Sequence, residues 1–397
     1  MSGGSIEVGG DVEPGYEGVR DAFANNFVEH GEQGASYAFY VDGAKVVDIW
    51  GGTRSDTGEP YDADTLQIVF SSTKGATAVC AHLLAERGVL DIDAPVVEYW
   101  PEFGQAGKET IPVRWLLTHQ AGLPTIDARL SRAEALAWDP VIRALEVQMP
   151  LWEPGVAHGY HALTYGYLVG EVVRRVDGRT LGSFFRDEVA KPYDLEFWIG
   201  LPEEYEPRVA PMIPMDTGGV SLVDMLGEEA LIVRALSLNG AFEGDLGDAA
   251  NHRDFHAAEI PAANGITNAR SLARMYAGLV GGVEGGPSEP LLTRAQIDAA
   301  RKLQTSGADQ VLSFPGLDVE STIALGFWAA SAFAPMGGAG AFGHYGAGGS
   351  VGFADPEHRL AGGYVMSKMG LGISADPRSS ALIRASYEAA GADVTHI

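Results

Sequence analysis

A hydroxyl and an amine lie one helical turn apart in Ser71-Ser72-Thr73-Lys74. Residues three apart share a helix face, so Ser71 and Lys74 can meet without help from distant parts of the chain. A serine hydroxyl is a poor nucleophile until a base takes its proton. Burial pushes a lysine towards its neutral form, and a neutral amine is such a base. The pairing is selective here. The lysines are Lys45, Lys74, Lys108, Lys191, Lys302 and Lys368, and only Lys74 has a serine three residues before it. The free N–H groups at a helix start would also favour developing negative charge.

The flanking residues set this pair at the mouth of a helix. Leu66-Gln67-Ile68-Val69-Phe70 reads as apolar and extended. Ala76, Val79, Cys80, Leu83 and Leu84 then recur at helical spacing, and Gly88 is a stop. Two other segments offer groups that the pair could use. Gly159-Tyr160-His161-Ala162 follows a turn at Trp152-Glu153-Pro154-Gly155 and precedes a helix starting near Leu163. Tyr160 on that loop is a candidate proton relay between Ser71, Lys74 and a leaving group. A phenol of ordinary pKa, about 10, needs a nearby cation to serve as base, and Lys74 is the candidate. Tyr165 and Tyr167 have the spacing of helix-core residues. The small residues of Gly343-His344-Tyr345-Gly346-Ala347-Gly348-Gly349, read as a strand edge, let a backbone approach a ligand. An N–H there, opposite that of Ser71, would complete a two-donor oxyanion hole.

Residues 16–30 read as a helix, after a flexible, Gly-rich, acidic start over 1–13. Residues 36–41 and 45–50 read as strands joined at Asp42-Gly43, a hairpin signal. From about Asp91 to Arg301 the pattern is mostly helical, with clearer pieces at 113–118, 163–177, 180–189, 271–279 and 293–301. Strands return at 322–332, 349–355 and 360–369, and a helix at 377–390 closes the chain. This predicts an α/β domain formed by 1–90 and 310–397, with a mainly helical insertion at 91–309. Within the insertion, 202–261 is long, acidic and weakly periodic, and reads as a lid-like segment.

The 397 residues include 53 acidic and 27 basic side chains, a net charge of −26. So acidic a surface disfavours nucleic acid and anionic membranes. Cys80 is the only cysteine, which excludes an intrachain disulfide; its place on the inward helix face reads as a structural thiol. The N-terminus lacks the basic segment and apolar core of a signal peptide, and no apolar run is long enough to span a bilayer. The expected compartment is the cytoplasm.

Taken together, the segments resemble the serine β-lactamase/penicillin-binding superfamily, and more closely the class C β-lactamase-like esterases called family VIII carboxylesterases. The resemblance runs over nearly the whole chain. It rests on Phe70-Ser71-Ser72-Thr73-Lys74-Gly75, on Leu116-Leu117-Thr118-His119-Gln120-Ala121-Gly122-Leu123-Pro124, and on Pro154-Gly155 through Tyr160. Gly265-Ile266-Thr267-Asn268-Ala269-Arg270-Ser271-Leu272-Ala273-Arg274 and His344-Tyr345-Gly346 complete it. It implies a β-lactamase/transpeptidase-like fold, an antiparallel sheet flanked by helices with an inserted helical domain. It also implies that Ser71 is the acylated nucleophile, Lys74 its partner, Tyr160 the loop tyrosine, and the N–H groups of Ser71 and Ala347 the oxyanion hole. His344, Gly346, Gln120 and His161 are the implied substrate-binding residues, with no metal and no cofactor.

The chain departs from the family twice. Tyr160-His161-Ala162 lacks the asparagine of Tyr-x-Asn, and His344 replaces the lysine of Lys-Thr-Gly, so a permanent cation is missing. Both argue against penicillin or peptidoglycan substrates and for a neutral ester or lactone, with His344 left to donate a hydrogen bond or, at lower pH, a charge. The expected activity is hydrolysis of small carboxylic esters through a Ser71 acyl-enzyme. A β-lactamase, a D-amino-acid peptidase or amidase, a lactonase or an acyltransferase on the same machinery stays open, as does a scaffold or acylated sensor. The expected partner is a small-molecule ester, and oligomeric state is left open.

Other motifs fit less well. Gly348-Gly349-Ser350-Val351-Gly352 matches a Gly-x-Ser-x-Gly nucleophile elbow, but the strand-to-helix turn that motif needs does not follow. Residues 338–343 match a dinucleotide fingerprint without a βαβ unit. His252 and His256 have helical spacing but no third ligand and no glutamate between them, so they read as a solvated face. His158 flanks Tyr160 and could line the pocket, whereas His119 precedes a turn and reads as structural.

Overall fold

The computed structural model describes residues 6–242 and 246–397. Three strands open the chain: β1 (Val8–Val12), β2 (Gly34–Val41) and β3 (Ala44–Gly52). Three short ones lie in its middle: β4 (Gln67–Ile68), β5 (Phe197–Trp198) and β6 (Ile266–Thr267). Six close it: β7 (Thr305–Ala308), β8 (Glu320–Ile323), β9 (Trp328–Ala329), β10 (Phe342–Tyr345), β11 (Val351–Asp355) and β12 (Leu360–Met366). Nine form one antiparallel sheet in the order β1-β3-β2-β12-β11-β10-β9-β8-β7, and β4-β6-β5 form a second. The two ends of the chain therefore join in mid-sheet, where β2 pairs with β12 from Val41–Leu360 to Ala35–Met366.

Both faces of that seam are covered. Tyr37 bonds Ser386 on the Pro377–Ala390 helix. On the other face the Ala269–Val280 helix packs on β2, β11 and β12. A Cβ on Gly363 would lie 2.7 Å from the Ala273 nitrogen, so only glycine allows that helix so close. Double coverage makes strands read as continuous apolar runs rather than alternating ones, which is why β2 and β12 are legible as strands but their faces are not.

Three expectations change. The Ala269–Val280 helix, assigned from sequence to the inserted region, sits on the sheet. Within the start read as flexible, Val8–Val12 is an edge strand on β3; Gly9 and Gly10 erase its alternation, and residues 1–5 lie outside the described residues. The strand read at 322–332 breaks into β8 and β9 at a turn through Gly326, whose φ is +84°. The lid-like segment holds short helices Leu222–Leu226, Leu231–Ser237 and Arg253–Ala257; its residues 243–245 lie outside the described residues. Among the described residues no helix is long and apolar enough to cross a membrane.

Candidate active site

Everything from Thr65 to Leu84 is buried except Ser71, which is half-buried. Burial on all sides is what an interior helix requires, and residues 73 to 84 of the Thr73–Glu86 helix meet it. Ser71 lies two residues ahead of that helix. Thr73 N–H donates to Phe70 O (2.9 Å) and Lys74 N–H to Ser71 O (2.9 Å), a tight three-residue lead-in. Phe70 has φ +42°, a left-handed conformation unusual for a bulky residue. The turn is held from outside. Ser72 Oγ donates to His344 O (3.2 Å), Ser350 Oγ to Val69 O (2.9 Å), and Thr73 Oγ1 accepts from Gly265 N–H (2.8 Å). Ser350, the elbow-motif serine, is thus a fully buried strut.

Lys74 is fully buried. Its Nζ lies 3.0 Å from Ser71 Oγ and donates to the carbonyls of Ala162 (2.8 Å) and Ala262 (3.0 Å). Desolvation holds its pKa well below the ordinary lysine value. A neutral amine has two N–H bonds and one lone pair. With both N–H groups on carbonyls, the lone pair is left for the Ser71 hydroxyl.

Tyr160 places its ring 4.6 Å from Nζ. Its Oη is buried without a hydrogen-bond partner. Burial raises the phenol pKa, and the nearby Ser71 hydroxyl, outside hydrogen-bond geometry, offsets this only in part. Burial thus favours the protonated phenol, the form that can donate a proton rather than accept one. Its backbone N–H donates to Asp309 Oδ1 (3.0 Å), which also accepts from Val311 and Leu312 N–H (2.9 Å each). Asp309, fully buried, anchors the tyrosine loop. Sequence reasoning missed it, because a lone aspartate in a turn carries no signal of its distant partner.

Neutral rings wall the amine. His161 Nδ1 donates to Gly159 O (2.6 Å) and its Nε2 accepts from Leu123 N–H (2.9 Å); burial pushes its pKa down to about 4. It braces the loop and has no polar atom left for substrate, contrary to expectation. His119, with φ +59°, accepts from His161 N–H at Nδ1 (3.0 Å) and stays neutral by burial. His344 stacks on Trp328, with ring centroids 4.4 Å apart, and its Nδ1 donates to Tyr345 O (2.6 Å). That leaves an unpartnered lone pair on Nε2. His344 is therefore an acceptor, not the donor or cation expected, and burial keeps its pKa well below the ordinary histidine value.

The other expected residues also resolve. Gln120 accepts from Thr118 Oγ1 (2.8 Å) and donates to Gly155 O (3.2 Å), bracing two loops. A Cβ on Gly346 would lie 2.1 Å from Val69 O, so this glycine serves the contact with the nucleophile turn. β10 lies inside the sheet, and Ala347 sits in the turn joining it to β11. Among the described residues, neither Ser71 N–H nor Ala347 N–H has a hydrogen-bond partner, while Gly346 and Gly349 N–H are satisfied within the turn. His158 is tied to Ser321 (3.0 Å) and Thr305 (2.9 Å), and His256 to Glu206 (2.8 Å) and Ala250 O (2.6 Å).

A hydroxyl at the surface, a desolvated amine behind it, a protonated phenol beside it and two free N–H groups suit nucleophilic attack on a carbonyl. The β-lactamase family model matches residues 19–384. The chain belongs to the β-lactamase family. The esterase/β-lactamase LipL of Mycobacterium tuberculosis is 36% identical over 379 residues, covering 91% of this chain and 83% of LipL. A crystal structure of a family VIII carboxylesterase matches with TM-score 0.85 at 37% identity, over 97% of this chain and all of that one. EstA from Arthrobacter nitroguajacolicus matches with TM-score 0.84 at 33% identity, over 96% and 98% of the two chains. The large antiparallel sheet with flanking helices is thus the β-lactamase-like fold, and the protein is a β-lactamase-family hydrolase.

Proposed function

We propose that this hydrolase is a serine carboxylesterase cleaving small uncharged esters through an acyl-enzyme on Ser71. The observation that carries the reading is the Lys74 amine, 3.0 Å from Ser71 Oγ with its N–H groups spent on two carbonyls. As Oγ attacks the ester carbonyl, its proton passes to Nζ. The new ammonium is held by the Ala162 and Ala262 carbonyls and by the face of the Tyr160 ring, a cation–π contact. The oxyanion is received by Ser71 and Ala347 N–H. The tetrahedral adduct collapses as the C–O bond to the alcohol breaks. Tyr160 gives that alkoxide its proton and regains one from Lys74. Water then attacks the acyl carbon and loses a proton to Lys74; as the acyl C–O bond to Ser71 breaks, Lys74 returns that proton to Oγ and the acid departs.

Two features favour esters over penicillins or D-peptides. A neutral, acceptor-only His344 offers no cation to a substrate carboxylate. Ala162 contributes only its carbonyl, which is bound to Lys74. The name carboxylesterase of one structural relative accords with this, while LipL is named for both esterase and β-lactamase.

The test is turnover of p-nitrophenyl butyrate against nitrocefin and a D-alanyl amide, with intact-mass detection of an adduct. Ser71→Ala should fold, form no adduct and lose turnover by a factor of about 10³ or more. Activity surviving in Ser71→Ala would overturn the scheme, and nitrocefin outrunning the ester would reverse the substrate assignment.

A further inference from the structure

The turn that offers Ala347 N–H has little stiffness of its own. Gly349 N–H closes it on Gly346 O (3.1 Å), and Gly348 and Gly349 have φ +85° and +123°. Two adjacent glycines in this region give the backbone wide freedom. Something outside must fix it.

Arg378, in the first turn of the Pro377–Ala390 helix and 3% exposed, reaches that turn. Its five N–H donors have five acceptors. Nη2 donates to Gly348 O (2.6 Å) and Asp376 Oδ2 (2.8 Å). Nη1 donates to Glu32 Oε2 (3.0 Å) and Lys368 O (2.9 Å), and Nε to Asp376 Oδ1 (2.9 Å). Gly348 is gripped further by its N–H on Gly372 O (3.1 Å) and by Gly370 N–H on its own carbonyl (2.8 Å). A Cβ on Gly349 would lie 2.6 Å from Asp376 Oδ2, so the glycine exists to let the carboxylate and guanidinium come this close. Glu32 follows the first helix, Lys368 follows β12 and Asp376 caps the last helix. Arg378 thus ties three separate elements to one carbonyl beside the oxyanion position.

We infer that Arg378 is a positioning residue for the oxyanion hole, holding Ala347 N–H towards Ser71 through the Gly348 carbonyl; the inference rests on the acyl-enzyme reading above. Only a planar five-donor fork can reach these acceptors together, whereas a lysine has three donors on one atom.

Arg378→Lys tests this. Its kcat on p-nitrophenyl butyrate should fall about ten- to a hundred-fold with KM unchanged, somewhat less than the loss from deleting an oxyanion donor. Labelling of Ser71 by a fluorophosphonate should slow by a similar factor. Tyr37→Phe is the control for stability alone. It breaks the 2.8 Å bond from the same helix to the sheet and should lower the unfolding midpoint while leaving kcat intact. If Arg378→Lys does not accumulate folded, Asp376→Asn, which weakens the grip on Nε and Nη2, should give a smaller loss in both readouts. Folded Arg378→Lys or Asp376→Asn with kcat and labelling within about two-fold of the parent, beside a parent inactivated by Ser71→Ala, overturns the inference and spares the esterase reading. A parent that is labelled but does not turn esters over fails that reading instead, and the labelling rates still decide the role of Arg378.

Discussion

In the proposed scheme Lys74 is neutral before reaction and charged during it. Apolar and neutral aromatic neighbours bring about the first, and two carbonyls with a ring face assist the second. Because burial lowers its pKa, kcat/KM should fall as pH drops through that lowered value, on a limb well below the usual lysine range near 10.5. Lys74→Arg keeps a charge that cannot be shed, so it should be as inactive as Lys74→Ala at every pH; a pH–rate profile of both variants checks this. His161 gives a stability counterpart. Its folded pKa of about 4 lies below the unfolded value of 6.5. The unfolded chain therefore binds more protons between these values, and stability is lost as pH falls through that window, by roughly 3 kcal/mol at its lower end. His161→Gln cannot titrate, so urea unfolding at pH 7.5 and pH 4 should show it losing less stability than the parent by about that amount.

The site depends on how closely three elements approach. The Thr164–Asp177 helix lies against the chain at Pro261-Ala262, where a Cβ on Gly166 would be 2.4 Å from the Ala262 nitrogen. The neighbour is backbone and cannot move aside cheaply. Gly166→Ala should push the Ala262 carbonyl off Lys74, costing about 1–3 kcal/mol of stability by overpacking. It should also lower kcat/KM about ten-fold or more through misaligned proton transfer. Chemical unfolding and steady-state kinetics on one preparation would separate the two effects; normal kcat/KM in a destabilised variant would show that the carbonyl does not aim the amine.

Across the whole molecule, a net charge of −26 makes self-repulsion a term in stability. The ion pairs join partners that are mostly part-exposed, such as Arg132–Asp254 and Arg294–Asp298, so each contributes little. Raising NaCl from about 10 mM to about 0.5 M shortens the screening length below the spacing of surface charges. The thermal midpoint should therefore rise by a few degrees, read by calorimetry; a drop would mean that attractive pairs outweigh repulsion.

Local chemistry was legible in the residues themselves. Ser71 and Lys74 are three apart, apolar residues recur at helical spacing after them, and Asp42-Gly43 closes a hairpin; each depends on neighbours within one or two turns. The site's electrostatics depend on contacts from far along the chain. Ala262 and Ala162 aim the amine across 188 and 88 residues. Tyr345 O fixes which nitrogen of His344 carries its proton, Asp309 anchors the Tyr160 loop, and Arg378 grips a carbonyl 30 residues away. Spacing along a chain sets which groups can share a face. Which backbone carbonyl meets which side chain, and so whether a buried group is charged, is decided only when the sheet closes from both ends and water is driven out.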